Sequence, residues 1–249
     1  MTTSFGALCT DFYVNCQLGV KLDLPDSRET MLDLFTRLGR DEPTMRRLKR
    51  YSEELALESP ERGRRRLWMG VQKRLIRSGV VNPESAEDSL ALHRLVMRTA
   101  PFYLGVTPID IDHLELTYGF DLSARANHNA VVCEALLGDS PLARLIDPDS
   151  MKPIEFQPLL GVALTDRCDV QAYVEVKTRT TIRQARTGKR SEEPISVFVT
   201  IRRSGDFEDV DTLGVRLEEL AAHADALTQR KVVPNVLTPL RESIASHQF

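Results

Sequence analysis

The stretch that decides the fold is residues 169–203, which reads DVQAYVEVKTRTTIRQARTGKRSEEPISVFVTIRR. Apolar and polar side chains alternate from Val170 to Ile182 and again from Ile195 to Ile201. Because neighbouring side chains of a strand point to opposite faces of a sheet, this pattern predicts two strands, each with one buried and one polar face. A turn centred on Gly188 and Lys189 joins them into a hairpin.

The polar face of this predicted hairpin is basic and carries two aromatic rings. The turn places Glu175 opposite Arg202 and Arg179 opposite Phe198. The predicted binding residues on this face are Tyr173, Lys177, Arg179, Arg183, Lys189, Phe198 and Arg202. Such a face can neutralise phosphates and stack on bases, but it is also typical of a solvated sheet, or of a dimer surface paired with Glu192 and Glu193.

Composition limits the class of protein. The 249 residues are 42% hydrophobic and 28% charged with a formal net charge of −3, which argues against a generally basic nucleic-acid coat and against disorder. Cys9, Cys16, Cys133 and Cys168 form no CxxC pair, so we expect reduced, partly buried thiols. No secretory signal and no apolar run of about 18 residues is present, so we expect a cytoplasmic protein without membrane contact.

The rest of the chain predicts further strands and helices. Alternation predicts strands over residues 12–24, 114–122 and 154–164, the last an edge or bulged strand because it contains Pro158. Caps at Asp26 and Ser27 precede a predicted helix that ends at Gly39. Further helical stripes lie within residues 45–55, 67–76, 90–96, 213–227 and 236–244. The predicted fold is therefore α+β, with a largely antiparallel sheet of about five strands and helices mainly on one face.

The chain also shows a weak internal similarity. Leu22-Asp23-Leu24 resembles Phe120-Asp121-Leu122, and Gly39, Pro43, Arg47 and Leu48 find counterparts in Gly138, Pro141, Arg144 and Leu145. A duplicated strand-helix unit would explain the matches, and so would chance at strand-to-helix junctions. We therefore predict one domain over residues 1–249, within which residues 1–104 and 105–249 are candidate half-units.

A second candidate site contains carboxylates and imidazoles. Asp110, Asp112, His113, Glu115 and His128 are residue types that bind metals or transfer protons. On a straight strand, however, His113 faces away from Asp110 and Asp112, so capping and turn formation explain these residues better. The asparagine cap at Asn127 likewise accounts for the region of His128. No P-loop, dinucleotide fingerprint or nucleophile elbow is present, so no catalytic residue, cofactor or metal site is assigned.

A third feature is a run of arginines. Arg62, Arg64, Arg65 and Arg66 precede the predicted helix at 67–76, and they are typical of a solvated helix start. Together with Arg46, Arg47, Lys49 and Arg50 they could instead form an anion-binding patch.

These observations favour a non-catalytic function. The leading hypothesis is a binding or assembly protein that uses its open sheet face and basic hairpin to contact a macromolecular partner or a second copy of itself. One alternative is a nucleic-acid-binding protein that uses the hairpin. The other is a hydrolase with a carboxylate and histidine site near His113, Glu115 or His128.

Overall fold

Nine strands form one antiparallel sheet in the computed structural model, which describes residues 5–61, 63–138, 140–147, 150–187 and 191–247. The strands are β1 (Asp11–Val20), β2 (Arg47–Arg50), β3 (Leu55–Glu58), β4 (Arg66–Gln72), β5 (Leu75–Val81), β6 (Ile111–Leu122), β7 (Leu159–Ala163), β8 (Val170–Lys177) and β9 (Ile195–Ser204). The antiparallel α+β class is confirmed, but the prediction of about five strands was wrong.

The sheet order is β2-β3-β4-β5-β1-β6-β9-β8-β7. The first and last halves of the chain meet where β1 pairs with β6, and from there they run to opposite edges. β7 is one edge strand, as Pro158 predicted, and β2 is the other. Over most of their length the central strands alternate between buried and more accessible residues, because one side of each strand is buried.

The helices are α1 (Arg28–Asp41), α2 (Ala86–Tyr103), α3 (His128–Leu137), α4 (Ile182–Thr187), α5 (Leu213–Leu227) and α6 (Thr238–Ser246), with a π-helical segment (Thr228–Leu237) joining the last two. Ser27 caps α1 by accepting a hydrogen bond from the Thr30 amide, as predicted, although α1 continues past Gly39. α2 contacts β1 and β5, and α5 contacts β6 and β9. These contacts bury the apolar sides of the central strands.

Two hydrogen bonds connect the long helices to the sheet. His93 on α2 shares a hydrogen bond of 2.7 Å with Ser78 on β5. The Tyr118 hydroxyl on β6 donates to Asp225 on α5 at 3.1 Å. We call the side of the sheet that carries Ser78 and Tyr118 the inner face.

Two predicted helices are strands instead. Residues 45–55 include all of β2 and the start of β3, and residues 67–76 include most of β4 and the start of β5. In β4, Leu67, Met69 and Val71 are buried while Arg66, Trp68 and Gln72 are more accessible, which is strand periodicity. Because Lys73 and Arg74 form the turn between two short strands, the apolar positions of both strands together imitate a helical stripe.

The decisive hairpin differs from the prediction in length and register. β8 ends at Lys177 rather than near Arg183, because the Arg179 amide donates to Nδ1 of His128 at 3.2 Å and leaves the sheet. Glu175 pairs with Phe198, and Arg202 pairs with Gln171, a shift of four residues from the prediction. The buried and polar faces keep the predicted parity, because an even shift preserves the side to which each residue points.

A short helix replaces the predicted end of the first hairpin strand. Thr181 Oγ1 accepts from the Gln184 amide at 3.3 Å, and Gln184 Oε1 accepts from the Thr181 amide at 2.8 Å. This reciprocal pair is a capping box, and it starts α4. The predicted turn at Gly188 and Lys189 lies outside the described residues.

The cysteines of the described residues carry thiols that differ in burial. All four cysteines are free, with Cys16 and Cys133 buried, Cys9 partly buried and Cys168 exposed. Burial raises the pKa of Cys9 to about 12.

Among the described residues, every helix is too short or too polar to cross a bilayer.

Candidate functional site

The candidate site is the side of the sheet opposite the inner face, which we call the outer face. Its side chains are mostly half-buried and mix aromatic, amide, hydroxyl and charged groups. They include Tyr13, Asn15, Gln17, Trp68, Arg77, Glu115, Thr117, Gln171, Tyr173, Glu175, Lys177, Ser196, Phe198, Thr200 and Arg202, which are brought to one side by the strand register.

One carboxylate, one cation and one aromatic ring are stacked together on the part of the outer face formed by the second half of the chain. Glu115 accepts hydrogen bonds from Arg202 Nε at 2.8 Å and from its terminal nitrogen at 2.6 Å. The guanidinium lies 5.7 Å from the ring centroid of Tyr173. Ion pairing and cation–π attraction therefore fix Arg202 along the sheet surface.

The same arrangement occurs at two other places on the outer face. Arg77 pairs with Glu54 at 3.0 Å and lies 5.3 Å from the ring of Trp68. Lys177 pairs with Glu175 at 3.3 Å, and its ammonium lies 5.6 Å from the ring of Phe198. In each of the three stacks a neighbouring carboxylate balances the charge of the cation.

Glycines allow the rings to lie flat. Gly79 lies beneath Trp68, Gly119 beneath Tyr13 and Gly161 beneath Tyr173. A side chain at any of these glycines would occupy the volume of the ring. The glycines on the neighbouring strands therefore leave room for these rings to lie against the sheet.

A hydrogen-bonded group lies beside the stacks. Asp121 accepts from Ser196 Oγ at 2.7 Å and from the Tyr13 hydroxyl at 3.3 Å. Burial raises the pKa of Asp121, and burial together with the Asp121 carboxylate raises the pKa of Tyr13. The Tyr13 ring also contacts Phe198, with centroids 6.3 Å apart.

The structure brings four predicted binding residues together: Tyr173, Lys177, Phe198 and Arg202 all lie on the outer face. Arg179 follows β8 and pairs with Glu193 at 3.2 Å, whereas Arg183 lies on α4 and not on a strand. The prediction that Arg183 belongs to the strand face was therefore wrong. Lys189 lies outside the described residues.

The candidate hydrolytic residues have structural partners. Asp110 accepts from the Thr107 amide and hydroxyl at 2.9 and 2.6 Å, and these hydrogen bonds lower its pKa. A bulge opposite Gly19 and Val20 lies at Asp112, where the carboxylate reaches Nδ1 of His113 at 2.9 Å. The described residues contain no group of three or more His, Cys, Asp or Glu side chains placed to hold a metal ion.

His128 is buried at the start of α3 and connects neighbouring segments. Its Nε2 lies 3.3 Å from the Ala124 carbonyl, and its amide donates to Thr180 Oγ1 at 3.0 Å. Burial lowers the pKa of His128. Asn127 caps α3, as predicted, by accepting from the Asn129 amide at 3.0 Å.

The arginine run does not begin a helix, because β4 begins at Arg66. Arg65 makes a two-pronged ion pair with Asp88, at 2.9 and 2.5 Å, and this pairing lowers the pKa of Asp88. Arg64 contacts the Thr10 carbonyl and Asp11. Lys49 pairs with Glu58 at 2.7 Å, so carboxylates oppose much of the basic sequence. Arg62 lies outside the described residues.

Sequence reasoning missed the contribution of the first half of the chain to the outer face. Trp68 and Arg77 were assigned to or beside a helix, although Trp68, Gly70 and Gln72 alternate with apolar residues. The two-residue Lys73-Arg74 turn and the glycines Gly70 and Gly79 were the available signals of strands.

Comparison with known proteins gives no assignment, since no protein-family model matches the chain and no curated protein is similar to it.

Proposed function

We propose that this chain is a non-catalytic binding or assembly protein whose outer face contacts the surface of another protein. The observation that carries the proposal is the occurrence of three stacks of carboxylate, cation and ring on one face of the sheet. Tyrosine, tryptophan and arginine are enriched in protein–protein interfaces, where large and already ordered side chains lose little conformational entropy on binding. We infer that the helices lie mainly on the inner face and leave the outer face accessible.

Charge pairing favours a protein partner over a nucleic acid. Affinity for nucleic acids comes mainly from cations that neutralise phosphates and release counterions. On the outer face Arg77, Lys177 and Arg202 already have carboxylate partners, so phosphate would compete with Glu54, Glu175 and Glu115. A protein surface needs no such exchange.

An affinity-capture comparison tests the proposal. The wild-type chain is immobilised beside the variant Y173A/F198A, which removes two outer-face rings, and beside F102A. Phe102 is a suitable control because it is an aromatic residue on α2 with 82% exposure. We expect the wild type and F102A to retain the same partner protein in equal amounts. Y173A/F198A should retain at least tenfold less of that protein.

Two results would contradict the proposal: retention of nothing by the wild type, or equal retention by Y173A/F198A. Circular dichroism establishes that each variant is folded. The nucleic-acid alternative is tested by titrating fluorescent single strands at several salt concentrations. Salt-sensitive binding that weakens when Arg179, Arg183 and Lys189 are replaced would favour that alternative.

We further propose that the chain is one domain built from two half-units, residues 1–104 and 105–249. In each half, a strand is followed by a helix, by strands that return to pair beside it, and by a long helix: β1 with α1 and α2, and β6 with α3 and α5. The short sequence matches support this less well, because Arg47 and Leu48 lie in a strand whereas Arg144 and Leu145 lie in a 3-10 turn.

A further inference from the structure

The two edges of the sheet differ in chemistry. β2 presents Arg47, Lys49 and Arg50, and charged residues are a common means of preventing a sheet edge from pairing with another chain. β7 has the sequence Leu159-Leu160-Gly161-Val162-Ala163, without a charge, and all five residues are exposed. The β7 edge therefore lacks the protection that the β2 edge has.

Exposed hydrophobic side chains concentrate in the part of the chain that leads into and includes this edge strand. The described part of the chain has fourteen large hydrophobic residues that are exposed, and seven of them lie within residues 142–162. Leu159 and Leu160 are each 63% exposed, and Val162 is 43% exposed. A cluster of exposed hydrophobic side chains is typical of an interaction surface.

The backbone of β7 offers a regular set of outward groups. The Pro158 carbonyl accepts from the Val176 amide, and the Leu164 amide donates to the Val170 carbonyl, so even-numbered residues face β8. In an antiparallel ladder the alternate residues face the other way. The amides and carbonyls of Leu159, Gly161 and Ala163 therefore point to the open side.

We propose that β7 pairs antiparallel with β7 of a second copy of this chain, about a twofold axis at Gly161. In that register Leu159 faces the partner's Ala163, and Gly161 faces the partner's Gly161, with their outward groups exchanging hydrogen bonds. Leu160 then lies beside the partner's Val162 as a close apolar pair on the inner side of the sheet. The pairing makes one continuous sheet of eighteen strands from two sheets of nine.

The sequence of β7 is compatible with pairing to β7 of a second copy of the chain. An uncharged segment with a small residue at its centre meets itself without like-charge repulsion. At each end of the pairing, this register brings the exposed Glu155 of one copy toward the exposed Arg167 of the partner. These opposite charges favour the antiparallel orientation over a parallel one.

Size measurement on the purified chain tests the pairing. Sedimentation or light scattering at micromolar concentration is expected to give twice the 28.1 kDa of one chain. A163P removes an outward amide while keeping the β8 ladder, and L160K/V162K places lysines opposite one another. We expect each variant to raise the dimer dissociation constant at least tenfold, whereas L48K on the exposed β2 edge leaves it unchanged.

A monomeric wild-type chain, or a dimer insensitive to both folded variants, would overturn the proposal. The measurement needs no other protein, so its outcome is separate from that of the outer-face capture experiment.

Cysteine cross-linking tests the register. In a C168S background, L160C and V162C are expected to give an intermolecular disulfide when the two variants are mixed, because close antiparallel pairs have Cα atoms about 4.5 Å apart. Each variant alone should remain largely uncross-linked. Efficient cross-linking of L160C alone, or none in the mixture, would contradict an axis at Gly161.

Discussion

At the scale of single residues, the glycines of the outer face determine where its rings lie. Gly79 is the sharpest case, since a Cβ there would overlap the Trp68 ring and approach Asn15 Oδ1 to 2.6 Å. We predict that G79A lowers the free energy of unfolding by about 1–3 kcal/mol, because the ring must leave its position over β5. Trp68 is the only tryptophan, so its fluorescence emission should shift to the red as it enters water.

The matched control is G214A. Gly214 lies on α5, and a Cβ there would meet nothing within 4 Å. Alanine in a helix is more favourable than glycine by about 0.5–1 kcal/mol, so this variant should be slightly stabilised with unchanged tryptophan emission. A G79A protein with wild-type stability and emission would show that Trp68 does not need the space above Gly79.

His93 provides a residue-scale prediction about pH. It is fully buried, and burial lowers its pKa from 6.5 to about 3. Below pH 6.5 the His93 side chain therefore binds a proton in the unfolded chain, whereas in the folded chain it stays neutral until near pH 3. Folding stability must fall as pH falls through this range. The contribution of His93 is about 1.4 kcal/mol per pH unit within that window.

Urea unfolding between pH 7.5 and 4.5 measures this effect in H93Q. The variant should be less stable at pH 7.5, because it changes the buried contact with Ser78, but its stability should fall less steeply with acid. H223Q, at an exposed position on α5, is the control for removing a surface histidine. Equal slopes for wild type and H93Q would contradict the buried neutral imidazole.

At the scale of elements, side-chain parity was predictable and element ends were not. Alternation in β1, β6, β8 and β9 identified strands and their buried sides, because burial of one face imposes a period of two. The end of β8 depends on the Arg179 amide donating to His128, a residue 51 positions away, which no local pattern contains. The Thr181 capping box was a local signal, and it identifies α4 correctly when it is considered.

The outer face was predictable only in its second half. Tyr173, Lys177, Phe198 and Arg202 share one parity class, so sequence alone places them on one side of a hairpin. Trp68 and Arg77 join them through strand order, and that order follows from the pairing of β1 with both β5 and β6. Long-range pairing of this kind is not encoded in the spacing of residues along one strand.

Asn129 is the residue on which the connection between three elements depends. Its side-chain Nδ2 donates to the Ile154 carbonyl at 2.9 Å, and its side-chain Oδ1 accepts from the Phe156 amide at 2.9 Å and the Thr178 hydroxyl at 2.7 Å. These bonds hold the segment before β7 and the segment after β8 against α3. N129A leaves these groups without partners in a buried site.

We predict that N129A lowers the free energy of unfolding by about 2–4 kcal/mol and speeds protease cleavage within residues 150–158. Chemical unfolding and mass spectrometry of the digest measure the two effects. N235A is the matched control, because Asn235 is exposed and its side-chain nitrogen donates to the Lys231 carbonyl within its own helical segment. Unchanged cleavage in N129A would show that another contact holds the segment.

At the scale of the whole molecule, the seam between β1 and β6 joins the two halves of the chain. Ten residue pairs connect these strands, and α2 contacts α5 beside them. Leu116 and Cys16 face each other in this seam and are both buried. An exposed glycine in the left-handed region, Gly105, follows α2 and marks a natural place to divide the chain.

We predict that residues 1–104 and 105–249, produced together as separate chains, associate into a stable complex, because the apolar seam remains exposed in either half alone. Copurification through a tag on one half measures this association. L116D should abolish it by placing a charge in the seam, whereas T117A, at the next position on the outer face, should retain it. If both halves are soluble and do not copurify, or if either unfolds cooperatively as an isolated monomer, the seam is not what stabilises them and the half-units are independent domains.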